Sequence, residues 1–268
     1  MKKTATMMIR YSDTGVPYYQ FSHFSQIDFL RHGIFTRHGG VSPVPFDSLN
    51  IARSVGDKPD HVNRNRRIIS DAMGVSEMTF IHQVHGTDVR VLAHEGFAGS
   101  GLQAGTTTGD AMVTDTPGKN LVIQVADCQA VMMVDPVLRV IANVHAGWRG
   151  VVLDIIGKTV AVMKDRFGCR PDRMLAGTGP SLGPCCAEFI HYRREIPKTF
   201  WRYMNHEVYV DLWAISRDQI ISAGVPEDNI ESSGICTRCR SDDFFSYRKH
   251  KTTGRFAAVI GIGDDGNG

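Results

Sequence analysis

The chain has 268 residues, of which 30 are Lys or Arg and 28 are Asp or Glu, giving a formal charge of +2. That balance gives no case for nucleic acid or an acidic lipid surface as the main partner, and a hydrophobic fraction of 42% at this length suffices for a sizeable core. No apolar run approaches a membrane span, and the opening Met1-Lys2-Lys3 meets Arg10, Tyr11 and Asp13 before a signal-peptide core can build up, so a cytoplasmic protein with no membrane partner is expected.

Residues 18 to 37, rich in aromatic and β-branched side chains and interrupted by Arg31-His32-Gly33, predict two strands in a hairpin. From Thr36-Arg37-His38-Gly39-Gly40 to Asp57 the sequence is Gly, Pro, Ser and Asn punctuation, a long loop of the kind that carries function inside a compact domain. Asp60 is placed to cap a helix with Val62, Ile68, Ile69, Ala72 and Met73 on one face and Gly74 as its stop, which leaves Arg64, Arg66 and Arg67 on a solvated face. A strand from Thr79 to Val84 ends at His85-Gly86 and resumes from Asp88 to Leu92, and the glycine- and threonine-rich stretch from Gly96 to Gly109 predicts a mobile surface loop.

The centre of the chain is Asn120 to Gly150. Its apolar runs Ala130 to Val134 and Leu138 to Val144 flank Asp135-Pro136 and predict a buried β-hairpin. Centring that hairpin between Pro136 and Val137 sets Cys128 directly opposite His145. Val151, Val152, Ile155, Ile156, Val160, Met163 and Phe167 then predict one helix ending at Gly168, whose N-terminus beside Gly147-Trp148-Arg149-Gly150 offers free N–H groups to an anion such as phosphate. A strand at Met174 to Ala176, a helix opening at Cys185-Cys186 and limited by Pro197, a helix capped by Asp211, and strands at Ile230 to Cys236, Phe244 to Arg248 and Phe256 to Ile262 complete the pattern. No repeat or linker appears, so one domain over residues 1–268 is expected, with residues 1–17 flexible and residues 263–268 a frayed tail.

Three groups sit where strands end beside glycine: His85, Cys128 and His145. Two imidazoles and a thiolate suit a borderline-soft divalent ion such as zinc, and three protein ligands leave the fourth tetrahedral corner open, as in a catalytic site. The hairpin links Cys128 to His145, whereas spacing alone does not link His85 to either. His82 lies three residues before His85, faces the other way if both are in one strand, and is left out. Arg37 and Arg149, each near glycines, have the guanidinium fork for phosphate. In a reducing compartment Cys128, Cys169, Cys185, Cys186, Cys236 and Cys239 are thiols or ligands before they are disulfides. Cys236-x-x-Cys239 has zinc spacing, but no second such pair accompanies it, and it reads as ordinary structure.

The motifs His82-Gln-Val-His85-Gly-Thr-Asp-Val89, Ala126-Asp-Cys128, Val144-His-Ala-Gly-Trp-Arg-Gly150, Gly179-Pro-Ser-Leu-Gly-Pro-Cys-Cys186, Phe244-Phe-Ser-Tyr-Arg248 and Gly254-Arg-Phe-Ala-Ala258 resemble, in order, the series of the YfiH-type family, also called the laccase-domain or polyphenol oxidase family. The resemblance extends from Phe35 to Ile262. It implies an α+β fold of mixed sheets packed together and flanked by helices, in α/β/β/α layers. It further implies a zinc enzyme, with copper as the other candidate metal, whose ligands fall on His85, Cys128 and His145. Arg37, Asn50 and Arg149 become expected contacts to the substrate, a purine nucleoside with phosphate as co-substrate. The implied reactions are phosphorolysis of adenosine, inosine and methylthioadenosine, and deamination of adenosine, by a monomer or small homo-oligomer. Ala130 and Ala187 depart from the proline and tyrosine common at those places.

Other functions fit the same residues. Cys128 could be a nucleophile activated by His145, giving a hydrolase or deamidase. A multicopper oxidase would need paired His-x-His motifs, which the sequence lacks, although one copper in the His85 site is compatible. An interaction protein with a structural zinc is the non-catalytic alternative.

Overall fold

The structure, a computed structural model, describes residues 7–92, 107–205 and 208–263. In chain order the elements are β1 (Met8–Tyr11), β2 (Pro17–Gln20), β3 (Leu30–Phe35), α1 (Pro59–Met73), β4 (Thr79–Phe80), β5 (Val89–Val91), β6 (Ala111–Thr114), β7 (Asn120–Val125), β8 (Gln129–Asp135) and β9 (Val140–Ala146). There follow α2 (Trp148–Val152), α3 (Ile155–Phe167), β10 (Leu175–Thr178), α4 (Tyr192–Glu195), α5 (Leu212–Ser222), β11 (Ile230–Ser232) and β12 (Phe256–Ile262). The described strands form two mixed six-stranded sheets, ordered β1-β2-β3-β12-β7-β4 and β11-β10-β8-β9-β6-β5.

The two-residue period of a strand explains the layers. In β8, Met132 and Val134 enter a core between the sheets with Ile123, Ala258 and Ile260, while Val131 and Met133 turn outward onto Ile155, Val160 and Ile215 of the helices. On the other sheet Val122, Ala257 and Val259 pack outward on Ile69 and Met73 of α1. Both faces of the central strands are therefore buried, which is why they read as continuous apolar runs rather than alternating ones. The result is an α+β fold in α/β/β/α layers, as expected. Asn143 is the one polar side chain in the middle of β9, and it bridges the layers by donating to the carbonyls of Leu121 and Ala258, each at 2.9 Å.

Several local expectations are corrected. The hairpin of β8 and β9 pairs Ala130, not Cys128, with His145, because the connection is a four-residue loop from Pro136 to Arg139 closed by the Asp135–Val140 pair. Asp135 Oδ1 accepts from the N–H groups of Val137 and Leu138, and Arg139 takes a positive φ of 54°, an arrangement that a two-residue turn cannot supply. The single helix expected from Val151 to Phe167 is two, broken at Asp154, which sits at φ 56° and accepts from Gly157 N to cap α3. Arg66 lies on the buried face of α1 with Val62, Ile69 and Met73. It stacks at 3.9 Å over the Phe80 ring and donates from Nε to Ile51 O, so its helical position overrides its charge.

Asp60 stands in the first turn of α1, and the N-cap position is Lys58; Gly74 is the stop, in the left-handed conformation. Arg31-His32-Gly33 lies inside β3, and the break between β2 and β3 is the turn around Phe24–Gln26. Met8–Tyr11 of the N-terminal segment pairs with β2 as an edge strand. The strand expected across His85 is split between the two sheets, β4 in one and β5 in the other. No helix opens at Cys185-Cys186, where Pro184 precedes tight turns. Phe244 to Arg248 is a turn region, with the rings of Phe244 and Phe245 both fully buried. The expected loop from Gly96 lies outside the described residues as far as residue 106, and the tail does so from residue 264.

His32 in β3 shows what burial costs at acid pH. It is 1% exposed, packs edge-on against Phe24 and accepts from Phe21 N–H at Nε2, and burial pushes it down from 6.5 to about 4. The unfolded chain then binds the extra proton between those values, so stability falls as pH drops through that window, by about 3 kcal/mol in all. His32→Gln, which keeps an acceptor and cannot titrate, is expected to lose this part of the acid slope when denaturant midpoints are compared at pH 7 and pH 4.

Candidate functional site

His145 shares the inter-sheet face of β9 with Ile141 and Asn143, at the end where the two sheets open. Cys128 stands just before β8. It is aimed there by Asp127, which holds φ at 89° and is tied down on three sides. Its carbonyl accepts from Leu182 N at 2.8 Å, and its carboxylate accepts from Thr237 Oγ1 at 2.7 Å and Arg248 N at 2.5 Å. His85, at φ 60°, turns in from the segment after β4. The ligand atoms of the three lie within 4.8 Å of one another, Cys128 Sγ is 3.8 Å from His85 Nε2, and the imidazole rings meet edge-to-face at 4.7 Å. A tetrahedral zinc would hold a sulfur and a nitrogen about 3.6 Å apart, so the donor set fits such an ion. His82, exposed, is not among them.

Asp110, which the sequence reading passed over, builds the support. Its fully buried carboxylate accepts from His145 Nδ1 at 2.8 Å, from His85 N at 2.9 Å and from Gly86 N at 2.7 Å. Nδ1 of His145 is thereby engaged, and Nε2 is the nitrogen left to face Cys128. Burial alone would raise the Asp110 carboxyl, but the hydrogen bond from His145 and the N–H of Gly86 hold it below its usual range. Burial would likewise raise the Cys128 thiol, yet the charge of His145 and hydrogen bonds from both histidines bring it down to about 6. Against its own burial, His145 is pushed up to about 9 by the Cys128 thiolate and Asp110. Each of the two groups thus favours the charged form of the other.

The three side chains line a cavity of about 680 Å³. Its walls carry the aromatic rings of Trp148, Phe189 and Tyr247 and the cations Arg53, Arg66, Arg149, Arg248, Lys251 and Arg255. Of the expected substrate contacts, Arg149 is exposed and lines this cavity. Arg37 does not. Its guanidinium is spent on Asp47 and on Ser241 O, over the Phe245 ring. Asn50 is buried away from the cavity and acts at one remove, its Oδ1 accepting from Arg255 N at 2.9 Å. The sequence signals for Arg248 and Arg255 were present in Phe-Ser-Tyr-Arg248 and Gly254-Arg255, motifs to which no role had been attached. The anion site expected at a long helix start is reduced to the five-residue α2.

Gly147 closes the back of the centre. A Cβ there would stand 2.8 Å from His85 Cδ2 and 3.3 Å from Cys128 Sγ. Gly147→Ala is therefore expected to lower metal affinity at least about ten-fold by displacing one ligand, while stability changes by less than about 1 kcal/mol, as read by metal titration and thermal unfolding.

A two-sheet frame with two imidazoles and a thiolate converging at its open end defines a class of candidate metal centre, and comparison gives the class its family. The chain belongs to the family described as multi-copper polyphenol oxidoreductase laccase, whose model matches residues 31–263. Purine nucleoside phosphorylase YfiH of Escherichia coli (strain K12) is 34% identical over 233 residues, covering 84% of this chain and 90% of that protein. Purine nucleoside phosphorylase YlmD of Geobacillus stearothermophilus is 34% identical over 244 residues, covering 85% of this chain and 89% of its own. The crystal structure of YlmD from Geobacillus stearothermophilus matches with a TM-score of 0.82 at 31% identity, over 92% of this chain and 96% of that one. That of the hypothetical protein YfiH from Bacillus licheniformis also gives 0.82, at 28% identity, over 91% and 96%.

Proposed function

We propose that the chain is a zinc-dependent purine nucleoside phosphorylase that cleaves adenosine, inosine and methylthioadenosine, with adenosine deamination at the same centre. The observation that carries this reading is the convergence of His85, Cys128 and His145 inside one cavity lined by both flat rings and cations. Relatives named purine nucleoside phosphorylase support it. His85, Cys128 and His145 would hold the zinc, which would supply Lewis acidity to a bound reactant.

The protein's own groups do the rest. Trp148, Phe189 and Tyr247 offer apolar surface to a purine, and Arg149, Arg248, Lys251 and Arg255 offer charge to phosphate. Holding both reactants in one cavity makes the attack effectively unimolecular. A phosphate oxygen bonds to C1′, the bond from C1′ to the base nitrogen breaks, and its electron pair leaves on the base, which takes up a proton. In deamination, water adds at C6 and ammonia departs. The buried Asp110 carboxylate keeps the His145 ring fixed throughout.

The test supplies purified, zinc-loaded protein with adenosine and phosphate. Adenine with ribose 1-phosphate is expected, together with inosine from the second reaction, and no turnover with the metal bound overturns the proposal. The laccase description fits less well: among the described residues only one group that could hold a metal contains histidine, too few for a multicopper centre. The convergence of Cys128 and His145, each favouring the charged form of the other, supports a second reading, a cysteine nucleophile with no metal.

A further inference from the structure

Four of the five cysteines left over by the candidate site come together. Cys236-x-x-Cys239 lacks a second CxxC, but its partner is the contiguous pair Cys185-Cys186, on the loop after β10. The four Sγ atoms lie within 4.8 Å of one another, with Cys239 Sγ 3.6 Å from Cys185 Sγ and 3.5 Å from Cys186 Sγ. A single zinc at the centre of a thiolate tetrahedron would set its sulfurs about 3.8 Å apart, and an iron–sulfur cluster would push them farther. We infer that Cys185, Cys186, Cys236 and Cys239 form a second metal site, a closed tetrathiolate zinc centre with a structural role.

The backbone is built around this meeting. Ser181 N donates to Ile235 O at 3.1 Å and Thr237 N donates to Ser181 O at 3.0 Å, which zips the two cysteine loops side by side. Gly183 lies where a Cβ would come 3.0 Å from Cys236 Cβ, and its N–H donates to Cys236 Sγ at 3.3 Å, a bond that favours a thiolate over a thiol. Cys186 and Cys236 are buried, whereas Cys185 and Cys239 are exposed, so an ion can enter from one side. Four ligands fill the coordination sphere, which leaves no corner for a reactant.

The two loops joined by this centre are also the two that hold Asp127. Leu182 from one and Thr237 from the other donate to it, and Asp127 aims Cys128. The zinc centre thus clamps the wall of the cavity without touching it. This inference does not rest on the proposed reaction.

Cobalt reconstitution tests it, since a thiolate-bound cobalt absorbs by sulfur-to-metal charge transfer. Cys128→Ser removes the only thiolate of the first centre and leaves the four cysteines alone. The absorption is expected to persist in that variant, and zinc-loaded protein carrying both His85→Asn and Cys128→Ser is expected to retain about one zinc per chain after desalting. Cys185→Ser with Cys239→Ser is expected to abolish the absorption that Cys128→Ser leaves behind. Absence of the charge-transfer absorption in reduced Cys128→Ser overturns the inference, as does zinc-free protein in which two of the four form a disulfide that zinc and reductant do not replace. The Cys128→Ser arm decides the matter even if the double serine variant fails to fold.

Discussion

His85→Asn is expected to lower the affinity for zinc at the candidate site by roughly a hundred- to a thousand-fold and to abolish phosphorolysis at ordinary metal concentrations. A structural zinc binds with about 10 to 16 kcal/mol shared among four ligands, so one ligand accounts for about 3 kcal/mol. Asn is the informative choice because His85 sits at φ 60°, a conformation that Asn tolerates and most residues do not. His85 is also exposed, so the change leaves no cavity. The two readings of the site part here. A Cys128 nucleophile activated by His145 needs no second imidazole and should keep most of its rate in His85→Asn, whereas a metal centre loses its ion. Metal content and turnover measured on the same sample separate them: activity that survives in a metal-free variant would sink the zinc reading.

How far the sequence alone could have led is seen best in β8 and β9. Their apolar runs specified a buried hairpin and placed Cys128 and His145 near one open end, and that much followed from composition. The register did not, because it depends on Asp135 accepting from two N–H groups and on Arg139 at positive φ, which a string of residue types does not display. The site survived the shift of register because its ligands lie at a strand's edge, where Asp127 rather than the ladder aims Cys128. Long-range partners were the other blind spot. Asp110 lies beside a glycine-rich stretch that suggested little to pack, yet it holds His85, Gly86 and His145 together. Arg66 carried a charge that argued for solvent while its helical spacing argued for the core, and spacing decided. Cys185 and Cys186 are separated from Cys236 and Cys239 by two helices and a strand, so only the fold could join them.

Asp110→Asn is expected to weaken zinc binding by about ten- to a hundred-fold, with a loss of phosphorolysis to match. The substitution conserves shape and changes what the group can accept. The carboxylate receives three N–H donors at 2.7 to 2.9 Å, and an amide must turn its NH2 toward one of them, leaving a buried donor facing a donor at a cost of about 1 to 3 kcal/mol. A merely structural role would end there. The distinguishing measurement is zinc affinity against pH. In the wild type, His145 stays protonated up to about 9, so zinc must displace a proton and its affinity rises with pH until that value is passed. Asp110 is one of the groups that raises His145, and removing its charge lowers the proton's hold on Nε2. The plateau in zinc affinity should therefore move to lower pH in Asp110→Asn, even as the plateau itself falls because the ring is no longer held in place. A fall in affinity with no shift along the pH axis would mean that Asp110 supports the loop at Gly86 and does not tune His145.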